Sequence, residues 1–78
     1  MDLRTLEEKL TNIFGYKVYY NKEENRFKWT HFEGEFYITK DKIEITSDLN
    51  EYLTISLNIS ELEIIQKAIN YCRRMEEK

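Results

Sequence analysis

Residues 26–46 read RFKWTHFEGEFYITKDKIEIT. Phe27, Trp29 and His31 alternate with Arg26, Lys28 and Thr30, then Phe36 and Ile38 with Tyr37, then Ile43 and Ile45 with Glu44. Alternation of apolar and polar residues is the signature of strands with one buried face. The breaks at Glu33-Gly34 and Asp41-Lys42 have hairpin length. This stretch therefore predicts an antiparallel meander, and the rest of the chain is read outward from it.

Upstream, Tyr16, Val18 and Tyr20 alternate with Lys17 and Tyr19, and Asn21–Glu24 gives a four-residue break. Downstream, Leu53, Ile55 and Leu57 continue the alternation after Asp48–Asn50. Five strands are expected. Pairing them through these turns gives one inner row of Tyr16, Trp29, Ile38, Ile45 and Leu53. A second inner row is Val18, Phe27, Lys40, Ile43 and Ile55, with His31 and Phe36 at the rim. A slip of one residue would invert a strand's faces, and none is required.

Both flanks read as helices. Leu3, Leu6, Leu10, Ile13 and Phe14 mark one helical face, with Asp2 placed to cap it and Gly15 to end it. Ser60-Glu61-Leu62-Glu63 has the form of a capping box, with Ile59 and Ile64 as its hydrophobic staple, opening a helix over residues 61–75. A sheet of five strands is about 20–25 Å wide and a helix about 10 Å, so both helices are expected on one face. The predicted fold class is α+β, a single domain over residues 1–78 in the order α-β-β-β-β-β-α.

Composition narrows the function classes. The chain has 78 residues, 41% hydrophobic and 35% charged, with a formal net charge of −3. Its hydrophobicity is too high for a disordered chain, and its apolar runs are too short for a membrane span. Its acidity argues against general duplex binding. The opening MDLRTLEEKL lacks a basic, then apolar, leader pattern, and Cys72 is the single cysteine; together they lead to the expectation of a reducing, cytoplasmic setting. Proline is absent and Ile, Lys, Asn, Tyr and Glu abound, a skew that fits AT-rich coding. In size and style only, the chain resembles accessory and inhibitor proteins of phages and mobile elements.

The spacing of chemically active residues points away from catalysis. Gly15 and Gly34 are isolated, so no glycine-rich phosphate loop is present. One histidine and one cysteine fall short of a usual zinc site, and no cofactor is expected. His31 is read as a strand residue at the end of the core rather than a general base. Cys72 lies on the apolar helix face, where a free thiol behaves as a small hydrophobe. Asn58-Ile59-Ser60 matches a glycosylation pattern but reads better as a helix start with Ser60 as the cap. Glu33, Glu35 and Glu44 are read as solvated carboxylates of a turn and the outer face.

That outer face is the expected binding surface. Thr30, Tyr37, Thr46 and Tyr52 should form one row, with Tyr19 nearby, and these five are the candidate protein-binding residues. Tyrosine on a rigid sheet is a low-entropy contact residue enriched at binding hot spots. Residues 51–57 add a poorly guarded strand edge. The alternative is single-stranded nucleic-acid binding by Lys17, Arg26, Lys28, Tyr19 and Tyr37, since open sheets with aromatic and basic side chains stack bases and track phosphates. Residues 16–32 carry four cations against two carboxylates, whereas residues 33–57 carry two against six. The wide apolar face of the second helix also leads to the expectation of a symmetric homodimer.

Overall fold

The structure, a computed structural model, describes residues 2–31, 34–46 and 58–77, with the backbone alone described at Thr30, His31, Gly34, Ile45 and Thr46. The elements are α1 (Leu3–Phe14), β1 (Tyr19–Asn21), β2 (Arg26–His31), β3 (Gly34–Ile38), β4 (Ile43–Thr46) and α2 (Ile59–Glu76). The strands form an antiparallel meander in the order β1-β2-β3-β4. The chain is thus a small α+β domain. The strand expected over residues 51–57, with Tyr52, Leu53 and Ile55, lies outside the described residues.

Helix α1 follows its sequence signals. The Asp2 carboxylate accepts the Thr5 N–H at 2.8 Å, and Gly15 ends the helix at φ 79° with its N–H on the Thr11 carbonyl. The bond from Thr5 holds the Asp2 carboxyl below the usual carboxylate range. Helix α2 begins earlier than the sequence suggests. Its cap is Asn58, not Ser60: the Asn58 side chain accepts the Glu61 N–H at 2.9 Å while Glu61 Oε1 accepts the Asn58 N–H at 3.2 Å. The chain carries two overlapping boxes, Asn58 to Glu61 and Ser60 to Glu63, and the first one closes. With the cap at Asn58, Ile59 enters the first turn and is 76% exposed, so the expected staple with Ile64 does not hold it.

Each of the three hairpins among the described residues departs from the expected pairing by two positions. Trp29 faces Phe36 rather than Ile38, Phe27 faces Ile38, and His31 pairs with Gly34 instead of Phe36. Ile38 faces Ile43, and Phe36 faces Ile45. Tyr20, not Val18, faces Phe27. Each is a slide of two residues, which keeps the inner residues Phe27, Trp29, Phe36 and Ile38 on their expected face because strand alternation has period two. The slide also removes an anomaly. Lys40 leaves the apolar inner row for the β3–β4 turn, where its ammonium pairs with Glu76.

The inner face and both helices make one core. Val18, Phe27, Trp29, Phe36 and Ile38 meet Leu6, Leu10 and Phe14 of α1 and Ile65, Ala68 and Cys72 of α2. Trp29 and Phe36 stack with ring centroids 5.1 Å apart, and Phe14 closes on Phe36 at 4.4 Å. Tyr16 precedes β1, and its ring lies 4.9 Å from that of Trp29. The buried Trp29 Nε1 has no hydrogen-bond partner among the described residues.

The end of α2 is tied to two turns of the sheet. Asn25, in the left-handed region at φ 51°, donates from its amide to the Cys72 carbonyl at 2.8 Å and accepts the Tyr20 hydroxyl at 2.6 Å. Arg73 Nε donates to the Lys40 carbonyl at 2.8 Å. The β1–β2 and β3–β4 turns are therefore pinned to the same helix terminus.

Candidate functional site

The outer face of the sheet carries the candidate surface, and the β1–β2 turn organises it. Asn21 Oδ1 accepts the Glu24 N–H at 2.9 Å, an Asx turn that folds the loop back. The Asn21 amide then donates to Glu24 Oε1 at 3.2 Å, holding that carboxylate over β2. There Glu24 meets two cations that strand alternation places on one face: Lys28 Nζ at 3.3 Å and Arg26 Nε at 3.5 Å. The Arg26 contact is an ion pair without hydrogen-bond geometry.

Across the ladder sits Tyr37, half-buried and opposite Lys28. The Arg26 guanidinium lies 4.7 Å from the centre of the Tyr37 ring and the Lys28 ammonium 5.6 Å, both within cation–π range. The Tyr37 hydroxyl donates to the Glu35 carboxylate two residues earlier on the same face. That bond, then burial and the negative charge of Glu35 and Glu24, push the Tyr37 phenol up to about 12, with Arg26 opposing. The phenol is therefore neutral at physiological pH and acts as a donor.

The slide of two residues redraws the expected rows. Tyr37 is flanked by Lys28 and Glu44, not by Thr30 and Thr46, so the observed row is Tyr19–Lys28–Tyr37–Glu44. Thr30 and Thr46 belong to the neighbouring row, on either side of Glu35. Tyr19 is 39% exposed at the β1 end. Arg26 pairs with Asn21. Lys17 is exposed just before β1, and Tyr52 lies outside the described residues. Tyr19, Lys28, Tyr37 and Arg26 thus come together.

Glu24 is what the sequence reading missed, and Asn21 was its signal: an asparagine at the mouth of a hairpin loop favours an Asx turn. Lys42 Nζ lies 3.8 Å from Glu44 at the far end of the row. The patch is consequently near charge balance, with Arg26, Lys28 and Lys42 set against Glu24, Glu35 and Glu44.

The Cys72 sulfur is buried 3.7 Å from the Ile38 carbonyl oxygen, and burial pushes its thiol up to about 11. His31 contributes its backbone to the β2–β3 ladder. Among the described residues no group of three or more His, Cys, Asp or Glu could hold a metal ion, and no helix is long and apolar enough to cross a membrane. No protein-family model, curated protein or solved structure matches the chain.

Proposed function

We propose that the chain is a non-enzymatic protein-interaction module whose outer sheet face binds a protein partner, with Tyr19 and Tyr37 as its aromatic contacts. The observation that carries this reading is the row Tyr19–Lys28–Tyr37–Glu44, in which two aromatic rings stand beside cations already matched by carboxylates of the same face. Aromatic side chains and a balanced set of charges suit the mixed polar and apolar surface of another protein. A phosphate chain would compete with Glu24 for Arg26 and Lys28 and would meet Glu35 and Glu44. Thr30 and Thr46 extend the proposed surface by one row. Its setting as an accessory or inhibitor protein of a phage or mobile element, in a reducing cytoplasm, rests on size, composition and the lone cysteine.

One observation supports a second reading. Tyr19 and Tyr37 flank Lys28, so single-stranded nucleic acid could stack on the rings and pair its phosphates with Lys28, Arg26 and Lys17. Capture from extracts of the native cells, using the full chain as bait, separates the two. The variant Tyr19→Ser, Tyr37→Ser is expected to keep its far-ultraviolet circular dichroism and lose the protein partner. Normal capture by that folded variant overturns the proposal. Salt-sensitive binding of labelled single strands, abolished by Lys28→Glu, supports the second reading instead. Self-association belongs to the same proposal through Ile59 and Leu62, which are 76% and 51% exposed at the start of α2. A strictly monomeric mass by light scattering at micromolar concentration removes it.

A further inference from the structure

Among the described residues β1 is the outer strand at one side of the sheet, and an edge strand presents the N–H and C=O groups of alternate residues to any passing strand. Here the outward N–H groups are occupied. Val18 N–H donates to Thr11 Oγ1 at 2.9 Å, and Tyr20 N–H donates to Glu7 Oε2 at 2.8 Å. The match is geometric. Four residues of helix rise about 6.0 Å and two residues of extended chain about 6.8 Å, so acceptors at i and i+4 of α1 meet consecutive outward donors at Val18, just before β1, and Tyr20 within it. The Thr11 hydroxyl donates its own proton to the Glu7 carbonyl at 2.9 Å, which turns its lone pairs toward the strand.

The body of the helix is not what closes this edge. An open cleft of about 680 Å³ lies between the flank of α1 bearing Arg4, Glu8 and Asn12 and the strand at Lys17–Tyr19, and Glu7 and Thr11 reach across it. We propose that these two side chains are an autoinhibitory strand surrogate, holding the donors that the β1 of a second copy would otherwise engage. A second copy fits the edge for a definite reason. Antiparallel pairing about a two-fold axis at Tyr19 sets Val18 against Tyr20, Tyr19 against its own counterpart and Lys17 against Asn21. No like charges oppose, and the aromatic pair is favourable. The guard concerns the edge and stands whether or not the outer face binds a protein.

Amide hydrogen exchange and light scattering on the full chain test the proposal. In the native protein the Val18 and Tyr20 amides should exchange about tenfold or more slowly than those of Lys22 and Glu23 in the adjacent turn. Glu7→Ala with Thr11→Val removes both acceptors. That variant should lose the protection when dilute, reach twice the native mass as concentration rises, and regain protection as it does so. Glu7→Gln with Thr11→Ser keeps both acceptors and should behave as the native chain. If the double removal unfolds the protein, Thr11→Val alone makes the same comparison at Val18. Fast native exchange at Val18 and Tyr20 overturns the proposal. So does a folded variant that loses protection yet keeps the native mass at every concentration, since the bonds would then only fasten helix to strand.

Discussion

Tyr37 stands at the centre of the outer-face contacts, bonded to Glu35 and beneath Arg26 and Lys28. Its phenol ionises at about 12 in the folded chain, against 10.0 for an unperturbed tyrosine. The folded state therefore binds the proton more tightly than the unfolded state. The associated stability is fully present below pH 10 and is lost as pH rises from 10 to 12. Following phenolate absorbance with pH, Tyr37→Phe should remove the highest-pH step, and Glu35→Gln should move that step downward. No change in the titration of the Glu35 variant would mean that the Glu35 bond is not its cause. Cys72 makes the contrasting case. Its thiol, pushed up to about 11 by burial, holds almost no thiolate at neutral pH. Alkylation of the native protein should be slow and should accelerate sharply with denaturant. Rapid modification of the folded chain would show that the thiol is accessible. Cys72→Ala should cost on the order of 1 kcal/mol.

At the scale of elements, the start of α2 gives a direct comparison. Asn58→Ala should cost about 1 kcal/mol in chemical denaturation, whereas Ser60→Ala, inside the first turn, should change stability by less than about 0.5 kcal/mol. The reverse order would place the cap at Ser60. Helix α1 was legible to the residue because Asp2 and Gly15 are single, unopposed signals. The α2 boundary was not, because two capping patterns lie two positions apart and each satisfies the same local chemistry. The strands were legible as faces but not as pairings. A slide of two residues conserves the alternation of Phe27, Trp29, Phe36 and Ile38, so the test for one-residue slips was blind to it. Lys40 was the available clue, since a lysine in an apolar row marks a register that has moved off its turn. Asn25 offered no comparable signal, because its amide bonds a carbonyl 47 positions away. For the same reason the candidate site was half legible: Tyr19, Tyr37, Arg26 and Lys28 could be assigned to one face, while their neighbours depended on the pairing.

For the whole molecule, stability of about 0.05–0.15 kcal/mol per residue implies roughly 4–12 kcal/mol in total. Trp29→Ala, which removes the indole stacked on Phe36 at the centre of the core, should cost about 3–5 kcal/mol. That is enough to lower the denaturation midpoint by about a quarter or more, and a midpoint near that of the native chain would contradict the placement of Trp29. The ties from α2 to the two turns carry a consequence for the order of events in folding. They join residues 33 to 47 positions apart, and such closures come late because chain entropy opposes them until the intervening segments are ordered. During synthesis α1 and the meander leave the ribosome before α2, so Phe27 and Ile38 lack the cover of Tyr71 and Cys72 until that helix emerges. The nascent sheet is thus most exposed to aggregation just before α2 arrives. Ala68→Gly should accordingly speed unfolding while leaving the refolding rate nearly unchanged in stopped-flow kinetics; a slowed refolding rate would instead put α2 in the folding nucleus.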